Sequence, residues 1–185
     1  MTMHLARPLA AFFVIFLCAA TASTGRVSAQ SFNAESVAAA ERRAADEQPA
    51  WLQKLCMLLS IPSVSSDPGR RKDVMEAATR TTGLMTEAGL ENVETSYFQT
   101  GQGHVVVYGD WLHAPPGAPT VLIYNHFDVQ PEDPIDGWTK GHAAFPEAMH
   151  ECIKDGRVLG RGASDNKGGL VGVLAAVAAV MKSAG

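Results

Sequence analysis

Thr120-Val-Leu-Ile-Tyr124 is a short, nearly continuous apolar run that leads directly into Asn125-His-Phe-Asp-Val-Gln-Pro131. Such a run reads as a strand covered on both faces. Working outward, residues 34–59 read as a helix, with Trp51, Leu52, Leu55, Leu58 and Leu59 forming one stripe at three- and four-residue steps. Ser60 to Gly69 is rich in turn residues and reads as a loop. Asp73 to Ala88 reads as a second amphipathic helix, with Val74, Ala77, Ala78 and Met85 inward and Gly89 as its left-handed stop. Strands are expected at Val93–Phe98 and His104–Trp111, followed by a turn at Pro115-Pro116-Gly117. Beyond the apolar run, residues 129–148 read mostly as loop. Glu151 to Arg161 reads as a hairpin turning at Asp155-Gly156. Lys167 to Lys182 is a helix apolar nearly all round and is expected to be buried against a sheet. Helices alternating with buried strands specify an α/β sandwich with a mixed sheet.

Composition narrows the function. The chain is 46% hydrophobic and 18% charged, which excludes a disordered or low-complexity class. Residues 1–29 carry a positive start at Arg7, an apolar core over Leu9–Ala20 and a small-residue exit at Val27-Ser28-Ala29, the order of a secretory signal peptide. The rival reading, an uncleaved anchor, is disfavoured because the core is shorter than the roughly 18–20 residues a span needs. Setting that leader aside removes two of the 15 basic residues and none of the 19 acidic ones, leaving a net charge of −6. No basic stripe remains, so nucleic acid is not an expected partner. Cys56 and Cys152 are the two cysteines after cleavage. An oxidising compartment would permit a disulfide, but the helical apolar pattern around Cys56 reads as a buried thiol.

Two places carry chemistry, and both follow strands, where open α/β sheets bind ligands. In an extended chain His126 and Asp128 point to the same side. The carboxylate could then hold one imidazole nitrogen and leave the other for a metal; read alone, the pair is also an ordinary loop histidine beside an acid. The second place is Gly160-Arg-Gly-Ala-Ser-Asp-Asn-Lys-Gly-Gly169. Asp165 there could simply cap the following helix. A nucleotide loop is excluded: Gly160-Arg-Gly162 begins a dinucleotide fingerprint, but Asp165 occupies the third glycine position, and Lys167 has the wrong spacing for a phosphate loop.

Taken together and in this order, Val121–Pro131, Asp155–Gly168 and Leu58-Leu-Ser-Ile-Pro-Ser-Val-Ser65 resemble the di-zinc exopeptidases of peptidase family M-twenty. That family holds aminoacylases, carboxypeptidase G, succinyl-diaminopimelate desuccinylase and carnosinase-type dipeptidases. His-Phe-Asp-Val-Gln-Pro131 and Asp136-Gly-Trp138 look most like the dipeptidase branch. The resemblance covers about residues 50–182. It implies a three-layer sandwich with a mixed, largely parallel sheet, of which residues 30–185 are an incomplete amino-terminal part. It implies two zinc ions, with His126 a ligand of one, Asp165 bridging both and Asp128 orienting His126. It also implies a cis peptide after Asp165. The implied reaction is hydrolysis of amide bonds in dipeptides or N-acylated amino acids, by a protein that dimerises through a second domain; the leader itself gives the expectation of a secreted or periplasmic protein, cleaved near Ala29, with no stable membrane span.

Departures are visible too. The interval from His126 to Asp165 is longer than the family's, and extra sequence around His142 to Cys152 accounts for it; His142 and His150 read as exposed loop residues rather than ligands. Two side chains are fewer than the about four ligands a zinc site takes. These residues alone are therefore expected to be inactive, and with the apolar helix at 167–182 left uncovered residues 30–185 are expected to be poorly soluble or partly unfolded. The alternative function is a non-catalytic half-domain that acts as a binding or assembly partner.

Overall fold

The computed structural model of the chain describes residues 34–97, 104–114, 116–132 and 143–183. The leader expected at 1–29 and His142 lie outside them. Three helices make the frame: α1 (Ala34–Leu59), α2 (Arg71–Ala88) and α4 (Lys167–Ser183). α1 buries Trp51, Leu55, Leu58 and Leu59 of the expected stripe, and Cys56 with them, while Leu52 is only partly buried. α2 ends where Gly89 takes φ 98°, and the Gly89 and Leu90 amides cap the last carbonyls of the helix. No helix among the described residues is long and apolar enough to cross a membrane.

Among the described residues the apolar helix α4 does not lie on a sheet. Leu170, Val171, Leu174 and Ala178 are buried in a core built with α1 and α2. On its other side Val180 is 48% exposed. The sequence identified the burial but not the partner, because an apolar face packs as well on a helix stripe as on a sheet.

The strands form two antiparallel pairs. β1 (Glu91–Tyr97) pairs with β2 (Val105–Asp110), with an irregularity between Glu91 and Glu94, and this ribbon rests on α2. A short helix α3 (Met149–Cys152) leads into β3 (Ile153–Lys154), which pairs with β4 (Arg157–Val158). The hairpin turns at Asp155-Gly156 with φ 51° and 71°, both left-handed, as a tight hairpin turn requires. Its first arm is thus partly helical: Met149–Cys152 coils instead of extending.

Residues 120–124 depart furthest from expectation. They form no strand, and Val121 and Leu122 are 79% and 90% exposed. A strand covered on both faces needs ladder partners on its edges and layers above and below, and the described residues supply neither. The expected largely parallel sheet is accordingly not formed among them; the parallel pairing present is the isolated bridge Val64–Val129. The fold of the described residues is mixed α/β.

Cys56 and Cys152 form a disulfide with Cα atoms 5.8 Å apart. This corrects the reading of Cys56 as a free buried thiol. Helical periodicity placed it on the inner face, and only the return of residues 143–152 across the end of α1 brings Cys152 opposite. The link spans 96 residues of chain. Changing Cys152→Ser should lower stability by about 3 kcal/mol, since a long loop is released in the unfolded chain. Denaturant titrations of the full chain with and without the substitution read this directly; equal midpoints would exclude the bond.

Candidate metal centre

Two arms of chain meet at the carboxyl end of the 120–128 segment. The first arm is held extended by the loop that follows α1. Ser63 Oγ donates to Phe127 O at 2.7 Å, Val129 N donates to Ser63 O at 3.0 Å, and Val64 bridges Val129. Alternation along that extended stretch places His126 and Asp128 on one side. His126 Nδ1 lies 3.1 Å from Asp128 O and 3.2 Å from Asp128 Oδ1. Asp128 Oδ2 in turn accepts from Ser65 Oγ.

The second arm runs from β4 into α4. Arg161 N donates to Ala144 O and Gly168 N to Gly162 O, which folds residues 160–168 into a tight crossing. The Asp165–Asn166 peptide is cis, as the resemblance implies. Asp165, which could have capped α4, directs Oδ1 to His126 Nε2 at 3.0 Å, and its side chain is 86% exposed. Asn166 Nδ2 donates to Asn125 Oδ1 at 3.1 Å, joining the arms beside the pair.

Sequence reasoning missed Lys167. It is fully buried, and its Nζ donates to Leu58 O at 2.9 Å and Ile61 O at 2.6 Å. Burial pulls its pKa down to about 8, with the charge of Asp128 opposing. The ammonium thus docks on carbonyls at the carboxyl end of α1, where the helix presents its negative pole. The same short segment, residues 58–65, grips the first arm through Ser63 and Ser65 and the second through Lys167. The available signal was a lone lysine opening an otherwise apolar helix. His150 is exposed on α3, away from this constellation.

The donor set has a direct chemical consequence. Nδ1 faces two acceptors, so in neutral imidazole the proton belongs there and Nε2 keeps its lone pair. That lone pair then points at a carboxylate oxygen 3.0 Å away. At this distance the two atoms share either a proton, as imidazole N–H to carboxylate, or a metal cation. Two ligands sharing a tetrahedral zinc lie about 3.3 Å apart, given zinc–nitrogen and zinc–oxygen bonds of about 2.0–2.1 Å. His126 and Asp165 therefore fit a shared divalent ion. Among the described residues no third His, Cys, Asp or Glu joins them.

Residues 122–185, which contain both arms, match Peptidase family M20/M25/M40. That match covers about a third of the chain and makes those residues similar to that family. The Cys-Gly metallodipeptidase dug1 of Schizosaccharomyces pombe is 38% identical over 135 residues, 70% of this chain and 27% of that protein. The Beta-Ala-His dipeptidase of Mus musculus is 35% identical over 49% of this chain and 18% of its own length. The solved structure of the dipeptidase Dug1p from Saccharomyces cerevisiae superposes with a TM-score of 0.65, covering 80% of this chain and 32% of that one. At 23% identity, that likeness speaks for the fold alone. The chain spans about a quarter of the length of the family relative it resembles at 38% identity. Within the family match, residues 122–128 form no strand.

Proposed function

We propose that the full chain as the cell makes it is a zinc metallopeptidase that hydrolyses the amide bond of dipeptides or of small N-acylated amino acids. One observation carries the reading: His126 Nε2 and Asp165 Oδ1 face each other at 3.0 Å while Nδ1 is already committed to Asp128. Similarity to proteins named as Cys-Gly and Beta-Ala-His dipeptidases supports dipeptides as the substrate class.

In this proposal His126 and Asp165 would hold zinc, with Asp165 the ligand that two ions would share, and Asp128 would fix the imidazole. Bound zinc supplies Lewis acidity and a water acidified toward neutrality. The chain's own residues contribute placement. Asp128 keeps the Nδ1 tautomer, the crossing at 160–168 presents Asp165, and Lys167 holds that crossing against α1. A general base and the further metal ligands are assigned to parts of the full chain outside the described residues, as is the second domain through which it would dimerise. The same assignment gives residues 120–124 their ladder partners in a three-layer sandwich with a mixed, largely parallel sheet. Secretion or export after cleavage near Ala29 completes the proposal, and a buried disulfide suits an oxidising compartment.

A chelator should abolish hydrolysis of Cys-Gly and β-Ala-His by the purified full chain, lowering the rate at least about a hundred-fold, and zinc should restore it. Unchanged turnover after verified metal removal would reject a metallopeptidase. The rival reading, a non-catalytic half-domain that pairs with another chain, draws on the exposed apolar row Val121–Tyr124. It requires stable association and no hydrolysis by any metal-loaded form, so the same assay separates the two.

A further inference from the structure

We infer that Ser65 is a positioning residue of the metal centre, the outermost link of a relay that runs Ser65–Asp128–His126 toward the ion. The inference rests on the proposed reading of His126 and Asp165 as metal ligands. Asp128 has two carboxylate oxygens and two tasks. Oδ1 accepts from His126 Nδ1 at 3.2 Å, and Oδ2 accepts from the Ser65 hydroxyl. An ionised carboxylate only accepts, so the proton in the second bond is the serine's. The side chains of His126 and Asp128 are each about one-third exposed, so water competes for every bond they make.

Why Asp128 needs a second partner follows from the first arm's geometry. His126 Nδ1 has a competing acceptor in Asp128 O at 3.1 Å. Should the carboxylate swing away, the ring would keep one backbone contact and lose the charged one that raises the basicity of Nε2. A donor on Oδ2 opposes that swing. Ser65 is placed for it by the loop that also grips Phe127 and Val129 through Ser63 and Val64. The serine therefore couples the loop after α1 to the orientation of a ligand two bonds away. A merely structural serine would tie the loop down without affecting what the imidazole binds.

Three measurements on the full chain separate these roles. Zinc affinity, read by competition with a chromophoric chelator, should fall about ten-fold in Ser65→Ala, at the low end for outer partners of a metal ligand. Ser65→Thr keeps the hydroxyl and should stay within about two-fold of the parent. In an Asp128→Asn background the Ser65→Ala change should add nothing, because its route to the metal is already cut. In the metal-free protein, ¹⁵N shifts of His126 should show the Nδ1–H tautomer giving way to Nε2–H in Ser65→Ala and not in Ser65→Thr. Unaltered affinity and tautomer in Ser65→Ala would overturn the role of Ser65. If that happens while His126→Ala loses its zinc, the metal centre stands without Ser65. If His126→Ala keeps its zinc, the metal centre falls and the relay falls with it.

Discussion

His126→Ala is expected to remove dipeptide hydrolysis from the full chain, lowering kcat/KM by at least about a thousand-fold, or about 4 kcal/mol of transition-state stabilisation. The size follows from what the imidazole supplies. In the proposed site it is one of two side chains that would share a cation, and alanine leaves Asp165 without its partner at 3.0 Å. Folding should hardly change, because His126 is only partly buried and Phe127 and Val129 keep their backbone bonds to Ser63. A lost activity with an unshifted thermal midpoint therefore marks a ligand, whereas parallel losses of activity and stability would mark a structural histidine. Retained hydrolysis would take His126 out of the site.

The second large effect is on the crossing that presents Asp165. At Gly168 an added Cβ would lie 2.0 Å from Ala163 O and 3.1 Å from Ala163 C. Those are backbone atoms of the same tight crossing, so no side chain can move aside to relieve the overlap. Gly168→Ala should cost at least about 3 kcal/mol, with the crossing reopened and zinc binding lost together. Gly172, one turn further along α4, is an internal control: nothing lies within 4 Å of its added Cβ. Gly172→Ala should raise stability by up to about 1 kcal/mol, since alanine suits a helix interior better than glycine. Chemical denaturation of both variants checks the contrast. Equal effects at 168 and 172 would mean that the crossing is not packed as described.

The elements that proved legible from sequence are those whose signal is local. The stripe Trp51–Leu59 and the Gly89 stop define α1 and α2 through periodicity and a left-handed cap, and Asp155-Gly156 marks its hairpin through turn chemistry alone. The proximity of His126 to Asp165 was also anticipated, though from motif resemblance rather than from physics; neither His-x-Asp nor a helix-opening aspartate points to the other. What escaped is what depends on a distant partner. The disulfide required residues 143–152 to return across α1, which no property of Cys56 encodes. Lys167 is buried because two carbonyls of residues 58 and 61 await it, and a carbonyl has no sequence signature. Residues 120–124 have the composition of an interior strand, but composition states only what a segment tolerates. Whether it forms a strand depends on neighbours that the described residues do not provide.

The central claim concerns one point in space, between the imidazole at 126 and the carboxylate at 165. Anomalous diffraction from crystals of the zinc-loaded full chain, recorded on either side of the zinc edge, locates that point without reference to activity. The account predicts a peak within about 2.2 Å of both His126 Nε2 and an Asp165 carboxylate oxygen. A zinc peak bonded to neither residue, with these two side chains still in contact, would contradict it.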